Sequence, residues 1–266
     1  MDQWRLILDP QPAAGAWNMA VDEAILVACS TPGVLPTLRL YAWSPPCLSL
    51  GIAQPLADVD APRLAENGWH VVRRPTGGRA VLHTDELTYS VIGPATEPRL
   101  AGGVLESYRT LARALVAALA RLGLPADMQD QGTGGSVRNL NPVCFEVPST
   151  YEITVAGKKI FGSAQARRKE GVLQHGSLPL TGDLTRILQG LHYPDEEQRA
   201  RAAARLLEHA ATVETLLGGT VSWEQAAEAM IASFQQVLDV ELLPGALTEA
   251  ERDQALLLAE TKYARP

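Results

Sequence analysis

The sequence predicts a mixed α/β fold whose helical share is concentrated towards the C-terminus. Three observations lead there. Short apolar or alternating runs such as "WRLILD", "LRLYAW" and "LTYSVI" recur before Thr181, each bounded by turn residues. Segments with apolar residues at helical spacing, such as "WNMAVDEAILVACS", stand between them. Past Thr181 the pattern turns helical and stays so to the end.

In chain order, "WRLILD" opens as a strand, and Met19, Val21, Ala24 and Ile25 mark the first helix. "LRLYAW" and "CLSLG" follow as strands, the second short and buried. Asp58 to Glu66 reads as a helix leading into the strand "HVVRR". A glycine-bearing turn then connects to the pair "RAVLH" and "LTYSVI". Gly103 to Leu122 is rich in Ala and Leu at helical period. "QDQGTGGSVRNLNP", residues 129–142, carries the Gly, Asn and Pro punctuation of a loop. In "TYEITVAGKKIFGSAQARR" the alternation of Tyr151, Ile153 and Val155 with an Ala156-Gly157 turn predicts a hairpin, and "GVLQHGSLPL" a further strand. Residues 182–266 then form the helical portion. There Ser222 with Gln225, and Thr248 with Glu251, have the spacing of capping boxes.

Composition narrows the function. The chain has 266 residues with 46% hydrophobic and 20% charged content, enough to bury a substantial core. A net charge of -7 argues against bulk-charge binding of nucleic acid. No apolar run reaches membrane-spanning length, and the N-terminus reads as a strand rather than a signal segment. Cys29, Cys47 and Cys144 are odd in number and lack CxxC spacing, against both a disulfide framework and a zinc knuckle. A cytoplasmic, reduced protein with no metal site is the expectation.

Three clusters carry candidate chemistry. In "RRPTGGRAVLH", Gly77 and Gly78 permit a tight turn and close backbone approach to a ligand, with Arg73, Arg74 and Arg79 around them. A plain hairpin turn with solvated arginines fits the same residues. The loop lacks the lysine and spacing of the nucleotide-binding phosphate loop. In "GKKIFGSAQ", Lys158 and Lys159 point to opposite strand faces, so one can face inward as a charge partner beside small Gly162, Ser163 and Ala164. An edge strand guarded by lysines is the alternative. The third is Cys144 in "NPVCFEVPSTYEI", an irregular segment before a lysine-bearing strand. A buried small hydrophobe is the ordinary reading of a cysteine, and it suits Cys29 and Cys47. For Cys144 a thiolate nucleophile is the competing reading, with Lys159, His83 or His175 as the group that activates it. His70, His192 and His209 read as surface or packing residues.

Together and in this order, "RRPTGGRAVLH", "GKKIFGSAQ" and "PVCFEVPSTYEI" resemble the lipoate–protein ligase A and octanoyltransferase family, relatives of biotin–protein ligase. The resemblance runs from "WNMAVDEA" through "LQHGSL" to "LTEAERDQALLLAETKY". It implies an α+β fold: a mixed, largely antiparallel β-sheet flanked by helices, with an acyl chain in a tunnel beside the glycine loop. Residues 1–266 would form one catalytic domain of the biotin/lipoate ligase-like type, with residues 182–266 a mostly helical C-terminal part packed on it.

Within that family the chain resembles the cysteine-dependent octanoyltransferases of Gram-positive bacteria. The resemblance implies octanoyl transfer from acyl carrier protein, through a thioester on Cys144, to a lysine of a lipoyl domain such as that of glycine-cleavage H protein or an E2 subunit. Lys159 aligns with the family's active-site lysine. Arg74, Thr76, Gly77, Gly78, Arg79, His83, Gly162, Ser163 and His175 fall at substrate-binding positions. Exchange between thioesters is close to isoenergetic, so no nucleotide, cofactor or metal is expected, and the enzyme is expected to act as a monomer away from nucleic acid and membranes. Three alternatives remain: an ATP-dependent lipoate or octanoate ligase, which usually has Gly where Arg79 stands and an acidic residue where Thr84 stands; an octanoyl amidotransferase between lipoyl proteins, whose loop usually lacks the "LTYS" continuation; and a non-catalytic acyl or carrier-protein binding module.

Overall fold

The structure, a computed structural model, describes residues 1–130, Val143 and residues 151–266. The chain runs β1 (Asp2–Ala13), α1 (Gly15–Ala28), β2 (Thr37–Trp43), β3 (Cys47–Leu50), α2 (Ala61–Glu66), β4 (His70–Arg73), β5 (Val81–His83) and β6 (Glu86–Gly93). It continues through α3 (Val104–Arg121), β7 (Asp127–Asp130), β8 (Tyr151–Val155), β9 (Lys158–Lys159), β10 (Gly162–Arg167) and β11 (Val172–Pro179). The C-terminal part holds α4 (Glu196–His209), α5 (Val213–Leu217), α6 (Trp223–Leu238), β12 (Val240–Pro244) and α7 (Glu249–Thr261).

Six strands make the central sheet in the order β10-β11-β6-β2-β1-β12. The β10–β11, β11–β6 and β6–β2 pairs are antiparallel, whereas β1 runs parallel to both β2 and β12. Side chains alternate across this sheet, as the two-residue period requires. Trp4, Leu6, Leu38, Leu40, Leu87, Tyr89 and Val91 face α3 and α6 in the largest apolar cluster. Ile7, Tyr41, Ile92 and Leu173 face α1 and α7 in a second. Helices therefore cover both faces, and the sheet is a mixed, largely antiparallel layer between them.

Two smaller sheets complete the fold. β4-β3-β5 packs its apolar face on α4 and on a 3-10 segment, Leu184–Gln189. β7-β8-β9 lies against α3, with Ile153 and Val155 in the main core. Both capping boxes are present: Ser222 Oγ accepts from Gln225 N at 3.2 Å, and Thr248 Oγ1 accepts from Glu251 N at 3.2 Å.

The structure departs from the sequence expectations in three places. Gln129 and Asp130 end a strand, β7, rather than opening the loop. The run "TYEITVAGKKIFGSAQARR" carries the expected hairpin, β8 and β9 paired across Ala156-Gly157, but its second strand is only two residues long: after Ile160 and Phe161, both buried, the chain leaves the small sheet and enters the central sheet as β10. The C-terminal part is not all helix, because "VELLP" is β12, seated on β1 with Trp4 opposite Leu242. Its burial alternates at Val240 and Leu242, a period that five residues between two helices are too few to display in sequence.

Candidate active site

β4 and β5 are joined by the turn Arg74 to Ala80, and the turn lies over one end of the central sheet. Its shape comes from close backbone packing. Gly78 has φ +91°, open to glycine, and a Cβ on Gly51 would sit 2.0 Å from the Gly78 carbonyl oxygen. Gly51→Ala is thus expected to push the turn away and destabilise the protein by about 1–3 kcal/mol; denaturant midpoints of the two proteins check this. Arg74 is buried and grips the turn from within: Nη2 donates to the carbonyls of Gly77 and Arg79, each at 2.7 Å, and Nη1 donates to Ser49 O at 2.9 Å. Arg73 faces the other way and donates to Gly51 O at 2.9 Å and Gln54 O at 2.7 Å.

Beneath the turn, His175, Ser90 and Arg39 stand in register on β11, β6 and β2. All three point at α1, where Asp22 meets them. Arg39 Nη1 donates to Asp22 Oδ1 at 2.9 Å, Ser90 Oγ to the same oxygen at 2.9 Å, and Tyr41 OH to Oδ2 at 2.9 Å. His175 Nδ1 lies 3.3 Å from Oδ2, and its Nε2 lies 2.7 Å from Thr76 Oγ1 in the glycine turn. The helix thus holds the turn through a buried carboxylate and an imidazole. Burial works against the Asp22 charge, yet the His175 hydrogen bond and the Arg39 charge more than offset it and hold the carboxyl below its usual range. Burial is also the main reason that His175 is pushed below the usual histidine range, towards the neutral form.

A second imidazole stands beside the first. His83 Nδ1 is 2.5 Å from Glu86 Oε1, and Nε2 is 2.8 Å from Ser49 Oγ. Trp43 stacks on the His83 ring with centroids 3.9 Å apart and an 8° interplanar angle.

These groups line one cleft. Its walls include Met19, Tyr41, Trp43, Val81 and the small residues Gly162, Ser163, Ala164 and Gly176, and Arg74, Gly78, His83, Ser49 and His175 form its polar end. The cleft and its open mouth together span about 440 Å³. A Cβ on Gly176 would meet Ser163 Oγ at 2.5 Å and Gly162 O at 2.7 Å, so β10 and β11 touch here only because that side chain is absent.

The structure therefore gathers Arg74, Gly78, His83, Gly162, Ser163 and His175 around one space, with Thr76 held on His175 Nε2 and Gly77 in the same turn. The backbone of Arg79 belongs to the same turn. Lys159 is the inward member of its pair: it is 5% exposed, and its Nζ lies 3.0 Å from Glu152 Oε1. Lys158 turns outward, where its Nζ donates to Leu207 O at 2.5 Å. Lys159 is on β9, three positions before the cleft residue Gly162, and is not itself among the residues lining the cleft. Cys144 lies outside the described residues. Val143, to which it is bonded, is fully buried and forms a parallel bridge with Ala80, at the exit of the glycine turn. Cys29 and Cys47 are buried, and burial pushes their thiols up to about 11 and about 12. His70, His192 and His209 are exposed.

Sequence reading missed Asp22, Arg39, Ser49 and Glu86. A signal for two of them was present: Asp22 within the apolar helix "WNMAVDEAILVA" and Arg39 within the apolar strand "LRLYAW" are charges on faces that must be buried.

The model of the lipoyl protein ligase A/B catalytic domain matches residues 14–235. The chain belongs to that family. Curated relatives include the octanoyltransferase LipM of Kyrpidia tusciae, 43% identical over 96% of this chain and 94% of the relative. The octanoyltransferase LipM of Symbiobacterium thermophilum is 42% identical over 98% and 95%. Among solved structures, the bipartite lipoate protein ligase of Thermoplasma acidophilum, studied with its E2 lipoyl domain, superposes with TM-score 0.83 at 28% identity, covering 100% of this chain and 95% of that one. A lipoate–protein ligase A bound with ATP gives 0.80 at 27% identity, covering 99% and 97%. No helix among the described residues is long and apolar enough to cross a membrane.

Proposed function

We propose that this chain is an octanoyltransferase of lipoate biosynthesis, which takes the octanoyl group from acyl carrier protein onto Cys144 as a thioester and passes it to a lysine of a lipoyl domain. Relatives that are octanoyltransferases over nearly the whole chain support the activity. A lipoyl-domain acceptor is supported by the likeness to a ligase studied with such a domain. The observation that carries the role of Cys144 is the Val143–Ala80 bridge, which fastens the preceding residue to the glycine turn, beside the polar end of the cleft.

The chemistry suits these residues. An acyl thioester has a good leaving group, and a cysteine thiolate exchanges with it without nucleotide. The cleft has mainly apolar walls and polar groups at one end, so the acyl chain can lie along the walls with its carbonyl near the turn. Lys159 supplies the positive charge that favours the thiolate and the oxyanion of each tetrahedral intermediate. Glu152 holds its ammonium in place in the resting protein. Arg73 and Arg79 flank the turn and suit an acidic carrier protein docking there as donor. The same reading has the enzyme acting as a monomer in the cytoplasm.

The test is transfer from octanoyl carrier protein to a lipoyl domain with no nucleotide present. Amide should form without ATP, and an octanoyl adduct should appear on the enzyme when the acceptor is left out. The likeness to an ATP-bound ligase favours a second reading, ligation of free octanoate or lipoate. An absolute requirement for ATP with no adduct would establish that reading and reject the first.

A further inference from the structure

The hydrogen-bond directions around His83 are fixed by groups that can only donate or only accept. Arg74 Nη1, a donor, reaches Ser49 Oγ at 3.2 Å, so the Ser49 hydroxyl hydrogen is free to point to His83 Nε2. Trp43 Nε1, also a donor, reaches Thr88 Oγ1 at 2.8 Å, so the Thr88 hydroxyl hydrogen goes to Glu86 Oε1 at 2.5 Å. Ser177 Oγ donates to the same carboxylate oxygen. With two hydroxyls donating to it, Glu86 is an acceptor, and His83 must carry its hydrogen on Nδ1. The Nε2 lone pair then faces Ser49. Ser49, His83 and Glu86 form a directed chain of base, orienting carboxylate and hydroxyl that opens into the cleft.

His175 has the same arrangement, Asp22–His175–Thr76, but not the same capacity. The Asp22 charge is already matched by the buried Arg39. A proton on His175 would add a second cation to that pair and would face Arg74 and His83. The carboxylate beside His83 carries only neutral donors besides the imidazole in the contacts above, so an imidazolium there gains its own counter-ion. Of the two imidazoles, His83 is the one paired with a carboxylate that no arginine already matches in these contacts.

We propose that Ser49, His83 and Glu86 form a proton relay that receives the proton of the amine attacking the acyl group, with Glu86 as its positioning residue. This rests on the acyl-thioester reading above. The neutral primary amine of the acceptor adds to the thioester carbonyl, forming the C–N bond and placing a surplus proton on nitrogen. That proton passes to Ser49 Oγ as the Ser49 proton passes to His83 Nε2. Collapse of the tetrahedral intermediate breaks the C–S bond, and the imidazolium returns its proton to the departing sulfur, leaving amide and thiol. Other titratable or charged groups near His83 are Cys47 on β3, Arg74 past β4, His175 on β11 and Asp22 on α1.

The test uses Glu86→Gln and Ser49→Ala in the full chain, with octanoyl carrier protein as donor and a lipoyl domain as acceptor. Intact mass follows the acyl adduct and the amide product follows aminolysis, each from pH 6 to 10, a range below the amine's pKa of about 10.4, so its neutral fraction rises with pH alike in wild type and variants. In both variants kcat for amide formation should fall on the order of a hundredfold, with KM for the acceptor little changed and adduct formation falling far less. The defect should shrink as pH rises, because hydroxide takes over the removal of the proton. Equal loss in both half-reactions, or a defect independent of pH, means that the triad only supports the fold, and overturns the proposal. If the wild type carries no adduct, the thioester reading fails by itself, and the relay is judged by the pH dependence of amide formation alone.

Discussion

Replacing Cys144 with alanine is expected to remove the octanoyl adduct and lower transfer on the order of a thousandfold or more, because the acyl group loses its covalent carrier. Neither remaining thiol can substitute. Burial pushes Cys29 up to about 11 and Cys47 to about 12, so at neutral pH almost none of either is thiolate. Cys47 is also enclosed: its Sγ would lie only 2.4 Å from a Cβ on Gly15, and the residue is fully buried. A mass adduct that survives on the alanine variant, or transfer at the wild-type rate, would reject Cys144 as the carrier. ATP-supported transfer surviving in the same variant would move the protein to the ligase reading.

Replacing Arg39 with methionine should cost about 3–5 kcal/mol of stability, since it leaves the Asp22 carboxylate buried without its cation. Arg39 is wholly enclosed and its guanidinium also donates to Asn18 Oδ1 at 2.8 Å and Asp9 Oδ2 at 2.8 Å, so no water replaces what is lost. The pH dependence has a definite sign. In the wild type the Asp22 carboxyl is held below its unfolded value of about 3.9, so its stabilisation is present above that pH and is lost as pH falls through the folded value. In the variant burial is no longer offset by Arg39, the Asp22 carboxyl titrates higher, and acidification relieves the penalty. The gap between the two proteins should therefore be wide at pH 7 and narrow towards about pH 4. Urea midpoints at both pH values measure it, and a gap under about 1 kcal/mol at pH 7 would show that Tyr41, Ser90 and His175 satisfy Asp22 without the arginine.

What could be read from sequence was what local chemistry encodes. The glycine turn announced itself through Pro75, Gly77 and Gly78, the two C-terminal capping boxes through their spacing, and the inward lysine through the opposition of Lys158 and Lys159. The polar core beneath the turn could not be read in this way. Asp22, Arg39, Ser90 and His175 are far apart in the chain and meet only because β11, β6 and β2 align in one register under α1. Ser49 and Glu86 looked like ordinary strand residues, and only the fold of β5 over the central sheet sets His83 between them. The strand β12 was hidden for a different reason. Its five residues lie between α6 and α7, and a run that short is defined by its partner rather than by its own pattern.

That partner is β1, at the opposite end of the sequence, and the pairing has a consequence for how the protein is made. Asp2 aligns with Val240 and Leu6 with Pro244, so β1, made long before its neighbour, keeps one edge bare until β12 has emerged. Closing a contact of such long range is entropically slow, and a nascent chain interrupted before Val240 would expose an unprotected β-edge to its neighbours.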